Sequence, residues 1–145
     1  MNFMNEAYKQ ALKALKLNEV PVGAVIVKDN KIIARAYNKK EINNDPLGHC
    51  ELLAIKKACK KLNTWRLTGC EMYVTLEPCV MCLGAIVHAR IDKVYYGISD
   101  SRYGAIEGNL CLLDENNFNH IPQHENLNDD KCGKVLIDFF KKRRK

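Results

Sequence analysis

Short apolar strands alternate with amphipathic helices along this chain, and this order limits the folds that the chain can adopt. Apolar strands joined through helices are typically buried on both sides, so we expect an α/β fold with three layers, a sheet between two layers of helices. Asp29-Asn30, between the first two strands, predicts a hairpin. The residue pattern predicts strands over 22–27, 31–37, 71–76 and 93–98, and helices over 3–15, 49–61, 78–89 and from about 128 onwards.

The length of 145 residues predicts one domain over 1–145, because domains usually have about 100–150 residues and no linker or repeat divides the chain. No run of about 18 apolar residues occurs, so we expect no membrane-spanning helix and no membrane partner. Charged residues interrupt the apolar pattern of residues 1–16, which is therefore not typical of a signal peptide. These features predict a cytoplasmic protein.

The chain has an odd number of cysteines, seven in all. In the reducing cytosol, clustered cysteines bind metals or take part in catalysis more often than they form disulfides. Two of the seven form the pair Cys79 and Cys82, three residues apart. This pair therefore indicates chemistry rather than cross-linking.

Two short motifs carry that chemistry, His49-Cys50-Glu51 and Pro78-Cys79-Val80-Met81-Cys82, and each lies at a predicted helix start. Residues three apart share one helix face, so the two thiolates can reach one zinc ion at about 2.3 Å, and His49 can add a nitrogen at about 2.0–2.1 Å. Three protein ligands are typical of catalytic zinc sites, which keep a fourth position open. We therefore predict a catalytic metal site.

Glu51 lies two residues beyond His49, in the first turn of a predicted helix. From there its carboxylate can project beside the metal without binding it and can act as a general acid–base. Each residue also has a simpler interpretation, as a buried cysteine, a helix cap or a carboxylate that stabilises a helix dipole. Their combination next to Pro78 favours the metal site.

The formal net charge is +6, and the last five residues, 141–145, are all Lys or Arg. One interpretation of this basic helix end is a polyanionic partner such as RNA. The other is a solvated helix end that contributes only to solubility. Charge alone does not separate the two.

The two motifs and their surroundings resemble the bacterial tRNA-specific adenosine deaminases of the cytidine deaminase superfamily. The resemblance implies a cytidine-deaminase-like fold with a mixed sheet of about five strands, and a homodimer with one zinc ion per subunit. It also implies hydrolytic conversion of adenosine to inosine at the wobble position of the anticodon of a tRNA, an arginine tRNA. The stretches that carry it are 19–25, 45–51, 75–85, 90–91, 104–105, 119–120 and 139–144.

The resemblance also implies roles for single residues. The zinc ligands and the proton shuttle are the residues already named from the motifs. Asn38 would bind the flipped base, the backbone N–H of Cys50 could contact the base edge, and Asn119 would help to hold the nucleotide. The family usually has alanine on both sides of the histidine, where this chain has Gly48 and Cys50. We expect Cys50 to be a buried small residue and not a ligand, because adjacent helical residues point about 100° apart.

Two other functions use the same residues. A small-molecule deaminase, acting on cytosine, guanine or a nucleoside, would need the same zinc and the same glutamate. A structural zinc protein that binds RNA would need a fourth ligand, with Cys50 or Cys70 as candidates. The basic end and the loop 100–105 favour the anticodon loop of a tRNA as partner, with no DNA expected.

Overall fold

The structure, a computed structural model, describes residues 1–114 and 118–143. Four helices and five strands follow the order that the sequence pattern predicts, with one strand added. The helices are α1 (Phe3–Lys16), α2 (Cys50–Leu62), α3 (Val80–His88) and α4 (Asp130–Arg143). The strands are β1 (Gly23–Lys28), β2 (Lys31–Tyr37), β3 (Cys70–Leu76), β4 (Lys93–Ile98) and β5 (Gln123–Asn126).

The five strands form one mixed sheet in the order β2-β1-β3-β4-β5. β1 is antiparallel to both β2 and β3, whereas β3, β4 and β5 are parallel. The predicted hairpin is confirmed: Asp29 and Asn30 have φ values of 51° and 63°, as two-residue turns of the type I′ require. The pattern did not predict β5, whose residues are all polar and mostly exposed, although the resemblance implied five strands.

Alternate residues of the central strands face different helices, which gives the expected three layers. Ala24 and Ile26 of β1 belong to the apolar cluster that contains α2 and α3. Val25 and Val27 belong to a second cluster with α1 and the start of α4. Because side chains of a strand alternate between the two faces, the helices cover both faces of the sheet. The predicted α/β fold is confirmed.

The basic helix end lies on the last turn of α4. Lys141, Lys142 and Arg143 are exposed, and Arg143 donates a hydrogen bond to the backbone oxygen of Asn18 at 2.8 Å. The rest of the predicted basic end, residues 144–145, lies outside the described residues. In the described part of the chain, no helix has the length and apolar character needed to cross a membrane.

Gly23 at the start of β1 should be intolerant of any side chain, because α1 packs directly against its backbone. A Cβ there would lie 2.3 Å from the oxygen of Ala7 and 2.5 Å from the nitrogen of Ala11. We expect Gly23→Ala to destabilise the fold by about 1–3 kcal/mol in chemical denaturation. Gly84→Ala is the matched control, since a Cβ at Gly84 meets nothing within 4 Å, and it should be neutral or stabilising by up to about 1 kcal/mol. Equal effects of the two variants would contradict this account.

Candidate active site

Two helices begin at the same edge of the sheet. β2 and β3 point in the same direction because both are antiparallel to β1, so α2 and α3 start beside each other at the carboxyl ends of these strands. His49 is the N-cap residue of α2, and Cys79 is the N-cap residue of α3. Neither side chain caps its own helix by a hydrogen bond, so both are free to meet between the two helix ends. The positive ends of the helix dipoles favour thiolates there.

His49, Cys79 and Cys82 meet in one cluster at this edge. The Nδ1 atom of His49 lies 3.7 Å from Sγ of Cys79 and 3.4 Å from Sγ of Cys82. All three ligand atoms lie within 4.8 Å of one another. Neighbouring donors in a tetrahedral zinc site are roughly 3.5–3.8 Å apart, given the usual bond lengths. The cluster could therefore hold a metal ion, and its nitrogen and sulfur donors suit zinc.

The protons of this cluster are unevenly distributed. The hydrogen bond from Cys82 lowers the pKa of Cys79 to about 4, so Cys79 is a thiolate at neutral pH. The same hydrogen bond, together with burial, raises the pKa of Cys82, which keeps its proton. The hydrogen bond with Cys79 raises the pKa of His49. Because a metal binds thiolates and neutral imidazole, its binding must displace the proton of Cys82.

Glu51 lies beside the cluster and is only 4% exposed. Burial raises the pKa of Glu51, which favours a carboxyl that can hold a proton. Its carboxylate charge also contributes to the raised pKa of Cys82, so the two side chains are close. Among the described residues, the group of possible metal ligands does not include Glu51. This placement suits a general acid–base that does not bind the metal.

Cys50 is fully buried, as expected for a small packed residue. Burial raises the pKa of its thiol, and its Sγ donates a hydrogen bond to Oε1 of Glu51 at 3.3 Å. Cys70 lies at the first position of β3, the end opposite to Cys79. In the part of the chain that the structure describes, no fourth cysteine, histidine or carboxylate joins the metal group. The site has three donors, and the closed structural site is not supported.

Asn38, which follows β2, fixes the start of α2. Its Oδ1 accepts a hydrogen bond from the backbone N–H of Cys50 at 2.8 Å, one of the helix N–H groups that lack a partner within the helix. The two residues expected to contact the base thus bind each other. A base contact by the N–H of Cys50 would have to replace this hydrogen bond, whereas the amide nitrogen of Asn38 makes no hydrogen bond to the described residues.

The structure does not bring Asn119 to this cluster. Asn119 is exposed, and its neighbour His120 donates a hydrogen bond from Nε2 to the backbone oxygen of Ile91 at 2.7 Å. Ile91 lies just beyond the C-terminal end of α3, whereas Cys79 and Cys82 lie at its N-terminal end. A nine-residue helix is about 13 Å long. Within one chain, Asn119 is therefore at the far end of α3.

Glu77 is a residue of this region for which the sequence analysis predicted no role. It directly precedes Pro78, is buried, and accepts hydrogen bonds from backbone N–H groups of the loop that follows β4. One feature of the sequence could have indicated this role. Glu77 is an acidic residue between an apolar strand and the cysteine pair, and a charge that is buried there needs hydrogen-bond partners.

The sequence of this chain matches known deaminases over nearly its full length. Residues 1–144 match the model of the MafB19-like deaminase family. A tRNA-specific adenosine deaminase of Aquifex aeolicus (strain VF5) is 45% identical over 142 residues, which cover 98% of this chain and 94% of the relative. A protein of the same name from Bacillus subtilis (strain 168) is 45% identical over 144 residues, covering 99% and 89%.

Two solved structures of deaminases are also similar to this chain. A structure described in a study of A-to-I editing by tRNA:A34 deaminases at the wobble position of transfer RNA superimposes with a TM-score of 0.89 at 39% identity, covering 92% of this chain and 98% of that chain. A guanine deaminase from Bacillus subtilis superimposes with a TM-score of 0.66 at 34% identity, covering 100% and 96%. With the three-donor cluster and the adjacent buried glutamate, these matches show that the chain is a deaminase and belongs to the tRNA-specific adenosine deaminase family.

Proposed function

We propose that this protein is a zinc-dependent enzyme that converts adenosine to inosine at the wobble position of the anticodon of a tRNA, an arginine tRNA. The observation that carries the proposal is the three-donor cluster with Glu51 beside it, in a chain whose full-length relatives are named tRNA-specific adenosine deaminases. The solved structure from the work on tRNA:A34 deaminases supports the wobble position.

The residues of the site would have two separate roles, metal binding and proton transfer. His49, Cys79 and Cys82 would hold one zinc ion per chain, and zinc in such a site acidifies a water from a pKa of 15.7 toward about 7. Glu51 would carry two protons of the water in turn at its carboxylate, the first to N1 of adenine, where inosine keeps it, and the second to the departing amine. The balance is adenosine plus water giving inosine plus ammonia. The buried carboxyl of Glu51, with its raised pKa, suits proton transfer in both directions.

A base in an anticodon loop is a suitable substrate for the cluster at this edge of the sheet. The reacting base must leave its stack to reach the metal cluster, and this costs least in a single-stranded loop. The amide nitrogen of Asn38 would donate to the base, since its oxygen already holds the start of α2. Asn119 lies at the far end of α3, so a contact between Asn119 and the bound nucleotide would come from a second copy of the chain. We therefore propose that the protein acts as a homodimer. We place its activity on tRNA in the cytoplasm.

The alternative function is a small-molecule deaminase, and the match to a guanine deaminase favours it. Its TM-score and identity are both lower than those of the tRNA:A34 match, so we place it second. Incubation of the protein with total tRNA, followed by sequencing for adenosine-to-inosine change, tests the proposal. Ammonia release from guanine or free nucleosides, with no change in any tRNA, would support the alternative instead.

Glu51→Gln should abolish turnover and leave the metal in place. The variant keeps the size of the side chain but removes the proton carrier, so we expect turnover of an anticodon stem-loop to fall by about 10²–10⁴-fold. Metal analysis should still find about one zinc per chain. Cys82→Ala is the contrasting variant and should lose zinc, because two ligands hold it poorly. Loss of zinc from Glu51→Gln would make Glu51 a ligand and contradict the mechanism.

Asn38 can be tested by separating its two side-chain atoms. Asn38→Asp keeps an oxygen that can accept from the N–H of Cys50 but loses the amide donor. We expect Asn38→Asp to retain most of the thermal stability and to lose turnover on the stem-loop. Asn38→Ala should also lose turnover, and it should lower the stability by about 1 kcal/mol. Full turnover by Asn38→Asp would contradict a base contact by the amide and would leave Asn38 only the role of a helix cap.

Metal affinity should fall as the pH falls. The pKa values of Cys82 and His49 are both raised, so both groups bind protons that a metal must displace, whereas Cys79, with a pKa of about 4, is already a thiolate. Each displaced proton weakens zinc binding by about tenfold per pH unit below the pKa of its group. Competition with a chelator across about pH 6–8 measures this slope. An affinity that does not change with pH would show that the cluster is fully deprotonated before it binds zinc.

A further inference from the structure

The loop that follows β4 borders the metal cluster and is folded around one side chain. Oε1 of Glu77 accepts a hydrogen bond from the backbone N–H of Asp100 at 2.9 Å. Oε2 accepts from the N–H groups of Ile106, Glu107 and Gly108 at 2.9, 2.7 and 3.0 Å. One buried carboxylate thus satisfies four backbone donors of a segment without helix or strand structure.

The backbone of this loop approaches Glu77 so closely that two glycines are required. A Cβ at Gly104 would lie 2.4 Å from the Cδ atom of Glu77, and a Cβ at Gly108 would lie 2.7 Å from Oε1 of Glu77 and 2.0 Å from the oxygen of Asp100. The N–H of Ala105 donates to the oxygen of Pro78 at 3.0 Å. The loop is therefore fastened to the two residues that directly precede the predicted ligand Cys79.

Further side chains support the shape of the same loop. Oδ1 of Asp100 accepts from the N–H groups of Arg102 and Tyr103 at 3.0 and 3.2 Å. The amide of Asn109 donates to the oxygen of Arg102 at 2.8 Å. These bonds leave the side chains of Arg102 and Tyr103 exposed at the tip, within three residues of Ala105. The tip thus presents a cation and an aromatic ring to solvent, next to the candidate active site.

Charge explains why Glu77 can organise the loop. A buried carboxylate is costly without partners, and hydrogen bonds to a charged acceptor are stronger than neutral ones. No lysine or arginine forms an ion pair with Glu77 among the described residues, so the four N–H groups supply the compensation. The loop and the carboxylate therefore depend on each other. Removal of the charge of Glu77, or displacement of the loop backbone, should release the segment 100–108.

We propose that Glu77 is a positioning residue: it holds loop 100–108 in the shape that binds the substrate beside the metal cluster. The proposal rests on the proposed tRNA function for the identity of that substrate. It assigns to Glu77 no contact with the metal or with the reacting base. Substrate affinity should then depend on Glu77, while the chemical step and metal binding should not.

Glu77→Gln tests this with little change in size. The neutral amide places an NH₂ group against N–H donors, so the loop should loosen. We expect KM for an anticodon stem-loop to rise about fivefold or more, with kcat and zinc content within about twofold of the parent protein. Amide hydrogen exchange should quicken at 100–108 and stay unchanged in β1 and β3. Glu125→Gln is the matched control, since Glu125 is exposed and its one ion pair among the described residues is with Lys93, and it should change none of these quantities.

Gly104→Ala provides a second test that leaves the carboxylate intact. Its methyl group would displace the loop from Glu77, so it should give the same rise in KM and the same local exchange. An unchanged KM in both variants, or a fall in kcat that follows loss of zinc, would overturn the proposal. If the parent protein does not deaminate the stem-loop, the proposed function fails, while hydrogen exchange still tests whether Glu77 holds the loop.

Discussion

The candidate site depends on one constraint, that α2 and α3 begin at the same edge of the sheet. His49 comes from one connection and the two cysteines from another, so no local structure can bring them together. The antiparallel strand β1 lies between β2 and β3 and makes both point to this edge. The backbone N–H of Gly23 donates to Oγ1 of the buried Thr75 at 3.2 Å, which helps to hold β1 against β3 just before the cysteine motif. The cluster of three possible metal ligands is thus a product of strand pairing.

The two loops that border the site are each tied to the core by a buried carboxylate. Oε1 of Glu19, a residue with no exposed surface, accepts from the N–H of Ile42 at 2.7 Å and holds the loop that leads to His49. That loop is closely packed, because a Cβ at Gly48 would lie 2.8 Å from the nitrogen of Lys40. Glu77 holds the other loop through four N–H groups. Both carboxylates act on backbone, so they can fix loop shape while leaving the side chains that face solvent free to vary.

The sequence predicted the layers, four of the five strands and the motifs of the site, because these follow from local pattern. The continuous apolar run of β1 reflects burial on both faces of the sheet, and the spacing of Cys79 and Cys82 reflects one helix turn. β5 could not be predicted in this way, since its polar residues are recruited by pairing with β4 rather than by burial. The position of Asn119 and the four bonds of Glu77 depend on contacts between segments about 23–31 residues apart, which no periodicity records.

The chemistry of the cluster does not by itself select a substrate. An amino group on a ring carbon next to a ring nitrogen, as in adenine, cytosine and guanine, can be displaced by an activated water with proton transfers, and folds of this kind support both tRNA-named and guanine-named deaminases. Selection must therefore come from what surrounds the cluster, namely the loops after β2 and β4 and any second copy of the chain that reaches the site. The rigid anchoring of these loops has a physical advantage: a loop that is already ordered loses less conformational entropy when a flexible RNA loop binds, so more of the contact energy appears as affinity. On this argument the buried carboxylates would contribute to substrate affinity by keeping these loops ordered, although they are far less conspicuous in the sequence than the predicted metal ligands.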